Sequence, residues 1–203
     1  MTIEAWLAFC ATETVLCFAP GPAVLYVISV ALARGAAPGI AASLGILSGN
    51  AFYFLLSAIG VAGVIVTSHE LFALLKWAGA AYLVWMGVRM LLSRQDTRPD
   101  AASRVAERSF LRGFIVQAAN PKALIFFVAL LPQFIDPRLS VGFQVGVLGV
   151  SSVLIEFCVL ALYVAAAARA RALTGGRLAG AVERVGGAFL LAAGARLALA
   201  RQE

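Results

Sequence analysis

Apolar residues run through this chain in long stretches, and short polar interruptions divide them into six segments. These are Ala5–Leu32, Gly39–Val66, Leu71–Leu92, Gly113–Ile135, Val141–Ala168 and Val182–Ala200. About 20 apolar residues carry a helix across the roughly 30 Å hydrocarbon core of a bilayer. Each segment therefore predicts one transmembrane helix. A single stretch, 93–112, is polar along its length, with Arg94, Asp96, Arg98, Asp100, Arg104, Glu107, Arg108, Arg112 and a proline at Pro99. It divides the chain into a three-helix unit (1–92), a cytoplasmic linker (93–112) and a second three-helix unit (113–203). The expected fold is all-α, an integral membrane protein of six transmembrane helices.

Two apolar segments contain breaks. Pro20, Gly21 and Pro22 interrupt the first, and Asn120, Pro121 and Lys122 the fourth. Laid over one another, their flanks agree: Ala19 on Ala119, Ala23 on Ala123, Val24 on Leu124, Tyr26 on Phe126 and Ala31 on Leu131. A later stretch repeats too, Gly79 to Arg89 reading like Gly186 to Arg196. The chain reads as a duplication. With three helices per unit, the two units insert in opposite directions, so the architecture is an inverted repeat with the first and fourth helices broken. In membrane proteins, paired broken helices point to a transporter with its site at the breaks.

Composition agrees with a bilayer as solvent. Of 203 residues 62% are apolar and 13% charged, and the mean hydropathy is +0.94. Soluble domains are about half apolar and a quarter charged. The net charge of +6 reads as loop charge, not as a nucleic-acid surface. Eleven of the basic residues fall on one side of the six spans: Arg34, the six arginines from Arg89 to Arg112, Arg169, Arg171, Arg177 and Arg184. Four fall on the other: Lys76, Arg138, Arg196 and Arg201. The positive-inside rule places the richer side in the cytoplasm and both termini outside. The start, Met1-Thr2-Ile3-Glu4, lacks the basic region of a signal peptide. Cys10, Cys17 and Cys158 lie in apolar segments without metal-ligand spacing and read as buried small hydrophobes.

The candidate site follows from the few polar residues inside spans. Proline in a helix removes a donor and clashes with the preceding turn, and it pushes the residue before it out of the helical region. Pro20, Gly21, Pro22 and Pro121 should therefore free backbone groups, which in hydrocarbon cost several kcal/mol each, in order of magnitude. Such groups persist only against protein or a wet cavity. A lysine at mid-span, Lys122, costs roughly 3 kcal/mol on insertion scales and calls for compensation, with Glu13 and Glu156 as candidate partners. Snorkelling toward the cytoplasmic side is the alternative for Lys122, and helix packing the alternative for either acid. Asn50, Gln117 and Asn120 join the candidates if they face the breaks, and otherwise hydrogen-bond helices together. No residue pattern calls for a cofactor or a metal. Small residues four apart (Gly35, Gly39, Ala41, Gly45, Gly49; Gly142, Gly146) predict close helix contacts of the second and fifth spans, or a homodimer face. His69, in a short outward loop, reads as part of a capping turn.

Taken together, the stretches Ala19–Pro22, Gly39–Gly49, Leu74–Gly87, Asn120–Ala123 and Phe126–Phe134 resemble the lysine-exporter superfamily of small amino-acid efflux proteins (LysE/RhtB), in particular its homoserine and threonine branch. The resemblance runs nearly end to end. It implies a bacterial inner-membrane exporter of small neutral amino acids, driven by proton antiport, with Pro20–Pro22 and Asn120–Lys122 lining the transport site. Two positions depart from the family's usual pattern: Asn50 stands where many members have aspartate, and Glu13 is an additional acid. Glu156 and Glu13 are therefore the candidate proton-coupling groups. The alternatives are export of another small polar metabolite or cation, or a channel-like facilitator. A channel would need a continuous polar face, and a metal exporter clustered carboxylates, histidines or cysteines.

Overall fold

The computed structural model describes residues 1–58, 77, 80, 81, 84–88, 91, 102–174 and 179–199. All regular structure among them is helical: α1 (Ile3–Phe18), α2 (Pro22–Arg34), α3 (Ala36–Ala58), α4 (Ala102–Ala118), α5 (Pro121–Ile125), α6 (Val141–Thr174) and α7 (Ala179–Leu199). Most of the expected third span, the end of the second, His69, Lys76 and the linker up to residue 101 lie outside the described residues. α3 and α6, at 23 and 34 residues, are long and apolar enough to cross a membrane, and the bent pair α1 and α2 qualifies as a third span.

The breaks fall where proline chemistry puts them. α1 stops at Phe18 and α2 starts at Pro22, with a bend of 52° between them. The residues before the prolines are extended: Ala19 at φ −71°, ψ 118°, Gly21 at φ −139°, ψ −178°, and Asn120 at φ −77°, ψ 113°. That is the restriction proline imposes on its predecessor. Pro22 and Pro121 each open a helix, where a missing N–H costs nothing. The structure adjusts the alignment of the repeats. The helices end in register, Phe18 matching Ala118, but restart one residue apart, because residues 19–21 fill the first break and residues 119–120 the second. Beyond α5 the chain widens into a π-helical turn at Phe126–Leu130 and tightens into a 3-10 turn at Leu131–Phe134, with Pro132 in its first positions.

The second and fifth spans pack on each other as expected, with Gly39 of α3 at Val164 and Gly149 of α6 at Phe54, and glycines also set a contact that was not expected. A Cβ on Gly45 of α3 would lie 2.0 Å from the Phe110 carbonyl oxygen, and one on Gly113 of α4 would lie 2.3 Å from that of Ala42. Gly49 meets Gln117 in the same seam. These glycines of the second span thus admit α4, and only Gly39 faces α6, at Val164. Gly142 and Gly146 have nothing within 4 Å of an added Cβ. Gly87 packs on Gly187 and Leu191 of α7. Two apolar clusters fill the interior. One centres on α2, α3, α6 and α7, and the other on Phe9, Phe54, Phe126, Phe127, Leu131, Val145 and Leu148.

The 102–112 part of the expected linker is helical and forms the first turns of α4, which runs on without interruption to Ala118. Ser109 is buried and Val105 half-buried, so one face of this basic segment packs inward.

Candidate functional site

Each broken helix ends in carbonyls that have lost their helical partners. Side chains from elsewhere take them up. Lys122 Nζ donates to the Leu16 carbonyl and, at 3.1 Å, to that of Ala19. Tyr163 Oη on α6 donates to the Phe18 carbonyl at 3.0 Å. At the other break, Tyr53 Oη on α3 donates to the Ala118 carbonyl at 2.7 Å. Phe18 and Ala118 are the register-matched ends of α1 and α4, so each break is capped by a tyrosine from the opposite half. Arg171 closes the far end of α2 through the Leu32 and Ala33 carbonyls. Cations at helix C-termini also meet the negative end of the helix dipole.

The helix restarts differ. Asn120 caps α5, its Oδ1 accepting from the Lys122 backbone N–H at 3.1 Å. Gly21 has no side chain with which to cap α2, so the first N–H groups of α2 are left without a side-chain partner.

Between the breaks lies a cavity of ≈ 60 Å³. A water needs about 10–15 Å³ on that measure, so the cavity as it stands has room for a few waters. Its polar lining is Glu13, Cys17, Asn50, Gln117, Asn120, Lys122 and Glu156, with Gly21 at the first break. Leu16, Ala23, Val24, Ala123, Phe126, Val159 and Leu160 make the apolar remainder. Glu13 is 5% exposed; Ser152 Oγ donates to its Oε1 at 2.5 Å, with Cys17 Sγ at 3.8 Å. Glu156 Oε2 accepts from Asn50 Nδ2. Gln117 Nε2 donates to Asn50 Oδ1 at 2.6 Å, and Asn120 Nδ2 to Gln117 Oε1 at 3.0 Å.

The side chains singled out in the sequence thus meet at one place. Asn50 and Gln117 do face the breaks. Pro20, Pro22 and Pro121 do not line the cavity; they shape its backbone. Lys122 is held by carbonyls of the first break, while Glu13 and Glu156 are bonded to Ser152 and Asn50. Sequence reading passed over Ser152 and Cys17, although each lies four residues from a candidate acid, the spacing that shares a helix face.

Comparison with known proteins fits this geometry. The family described as LysE type translocator matches residues 14–201. The homoserine/homoserine lactone efflux protein of Salmonella typhimurium is 31% identical over 99% of both chains. An uncharacterized membrane protein of Vibrio cholerae is 36% identical over 83% of both. The leucine efflux protein of Klebsiella pneumoniae is 30% identical over 78% of this chain and 77% of its own. No solved structure gives a significant match. With its broken helices, its apolar spans and a match from residue 14 to residue 201, this chain belongs to the LysE-type translocator family and is a multi-pass membrane protein.

Proposed function

We propose that this protein is a secondary transporter exporting small neutral amino acids, of the homoserine or threonine kind, from the bacterial cytoplasm by proton antiport. One observation carries the reading: a small polar cavity between two helix breaks presents two carboxyls, one ammonium and free helix amides among apolar walls. The relatives named for homoserine and leucine efflux support amino acids as the substrate class. Six spans in two inverted units, both termini outside the inner membrane, complete the architecture proposed, with a homodimer as its assembly.

With the cavity widened by a parting of the broken helices, a zwitterion would lie in it in one sense. Its carboxylate meets Lys122 and the open N–H groups at the start of α2, where the helix dipole is positive. Its ammonium meets Glu156 or Glu13. The apolar walls receive a short side chain. A proton arriving from outside neutralises the acid, weakens its hold on the ammonium and releases the substrate outward. The carboxylic acid then gives its proton to the cytoplasm and, as carboxylate, is ready to bind again.

The test uses proteoliposomes loaded with homoserine, threonine or leucine and placed under a proton gradient. Export should rise with external acidification and collapse with a protonophore. Replacing the coupling acid, by Glu156→Gln or Glu13→Gln, should abolish the pH-driven component and retain exchange of labelled for unlabelled substrate. Full pH-driven export in both variants would sink the antiport assignment. A second reading, export of a small organic cation, has one observation in its favour: Lys122 is already bound by carbonyls, which leaves two carboxyls facing the cavity. Competition by alkylamines stronger than by amino acids would select it.

A further inference from the structure

Three buried amides join the second break to Glu156, and their orientation is fixed from one end. Asn50, Gln117 and Asn120 are each no more than 6% exposed. A backbone N–H can only donate, so the 3.1 Å bond from Lys122 N obliges Asn120 to present its oxygen there. Asn120 then has its NH₂ for Gln117, Gln117 its NH₂ for Asn50, and Asn50 its NH₂ for Glu156 Oε2. Turning any one amide around creates a buried donor–donor or acceptor–acceptor contact, which leaves buried polar groups unpaired at a cost in stability. The chain therefore has one sense, and it delivers a donor to Glu156. The accepting Oε2 holds no proton in this arrangement; a proton taken up by Glu156 goes to Oε1.

We propose that Asn120, Gln117 and Asn50 form a one-way amide relay that couples the cap of the second break to proton uptake by Glu156. Asn50 and Gln117 are its positioning residues. When α5 keeps its cap, Glu156 is served as an acceptor and its charged form is favoured. When movement of α5 breaks the cap, the relay loses its anchor, its amides can turn, and a protonated Glu156 can donate to Asn50. Opening of the break and proton binding then favour each other. The relay rests on the antiport reading for its place in a transport cycle, but its linkage stands by itself.

The infrared carbonyl band of protonated Glu156, identified by its loss in Glu156→Gln, reads the linkage without transport. In Asn120→Asp both carboxylate oxygens accept, one from Lys122 N and one from Gln117. The relay must run backwards and ends with an oxygen facing Glu156, which fits only a protonated acid. The midpoint of the band should move up by at least about one pH unit, tenfold in proton affinity. The new charge also acts through space. The double variant Asn120→Asp with Gln117→Met keeps the charge and cuts the relay, and it should lose most of the shift. The other titratable groups facing Glu156, namely Glu13 and Cys17 from α1 and Lys122 from α5, are the same in both variants; α2 and α3 bring none to the cavity. Equal shifts in the single and double variants overturn the relay. Should Asn120→Asp fail to assemble, Asn50→Leu removes the last donor and must also raise the midpoint; an unmoved midpoint overturns the proposal. Loss of amino-acid transport with the infrared linkage intact would instead count against the antiport reading alone.

Discussion

Lys122 shows what a buried charge can do besides pair with an acid. Its ammonium sits among the carbonyls that Pro20 and Pro22 set free, so it spans the two breaks. Carbonyl oxygens are invisible in a sequence, which is why the residue pattern offered only Glu13 and Glu156 as partners. The contact makes Lys122 both a substrate group and a strut, and magnitudes separate the roles. A hydrogen bond to a charged group contributes about 1.5–3 kcal/mol, or roughly ten- to a hundredfold in affinity. The stability cost of removing it is smaller, because the desolvation cost of the ammonium disappears with it. Lys122→Met should therefore weaken amino-acid binding by about ten- to a hundredfold while lowering stability by no more than about 1 kcal/mol. Binding isotherms and thermal melts of the detergent-solubilised protein measure both. A large melt shift with unchanged binding would make Lys122 a strut only.

At the scale of elements, the breaks were legible and the partners across them were not. Proline acts on its neighbours in the chain, so the ends of α1 and α4 and the starts of α2 and α5 could be placed from sequence. Which helices meet depends on shape in three dimensions. Glu156 and Asn50 are 106 positions apart, Ser152 and Glu13 139, and no local pattern joins them. The glycine spacing on the second span announced a close contact without naming α4 as the partner. The charges of residues 104–112 disguised a helix as a linker, because Arg104, Glu107 and Arg108 are exposed while Val105 and Ser109 turn inward. The seam between α3 and α4 makes a sharp prediction. A methyl on Gly45 meets backbone, which cannot swing aside as a side chain would. Gly45→Ala should destabilise by about 3 kcal/mol or more through overpacking. Gly142→Ala, in open space, should be neutral or stabilise by up to about 1 kcal/mol through helix propensity. Thermal unfolding in matched detergent compares them, and equal melts would mean that the seam is looser than its geometry.

For the whole molecule, the tyrosine caps bear on how the two halves relate. Tyr53 from the first half closes the end of α4, and Tyr163 from the second closes the matching end of α1. Reciprocal exchange of one cap type across register-matched carbonyls is what a two-fold relation between units would produce, and composition alone has no reason to supply it. An inverted repeat also fixes the topology. If each unit has three spans, the first and fourth helices start on opposite sides of the bilayer, and the chain ends on the side where it began. The distribution of basic residues then decides which side that is. Arg34 ends α2, Arg169 and Arg171 lie in the last turns of α6, and Arg104, Arg108 and Arg112 lie in the N-terminal two-thirds of α4. All belong to the basic side, which the positive-inside rule assigns to the cytoplasm. A reporter fused after Glu203 should therefore be active only as an enzyme that works outside the inner membrane, and one fused within residues 93–101 only as an enzyme that works in the cytoplasm. A cytoplasmic signal from both fusions would leave an even number of spans after the linker. The second unit could then not be a three-span, inverted copy of the first.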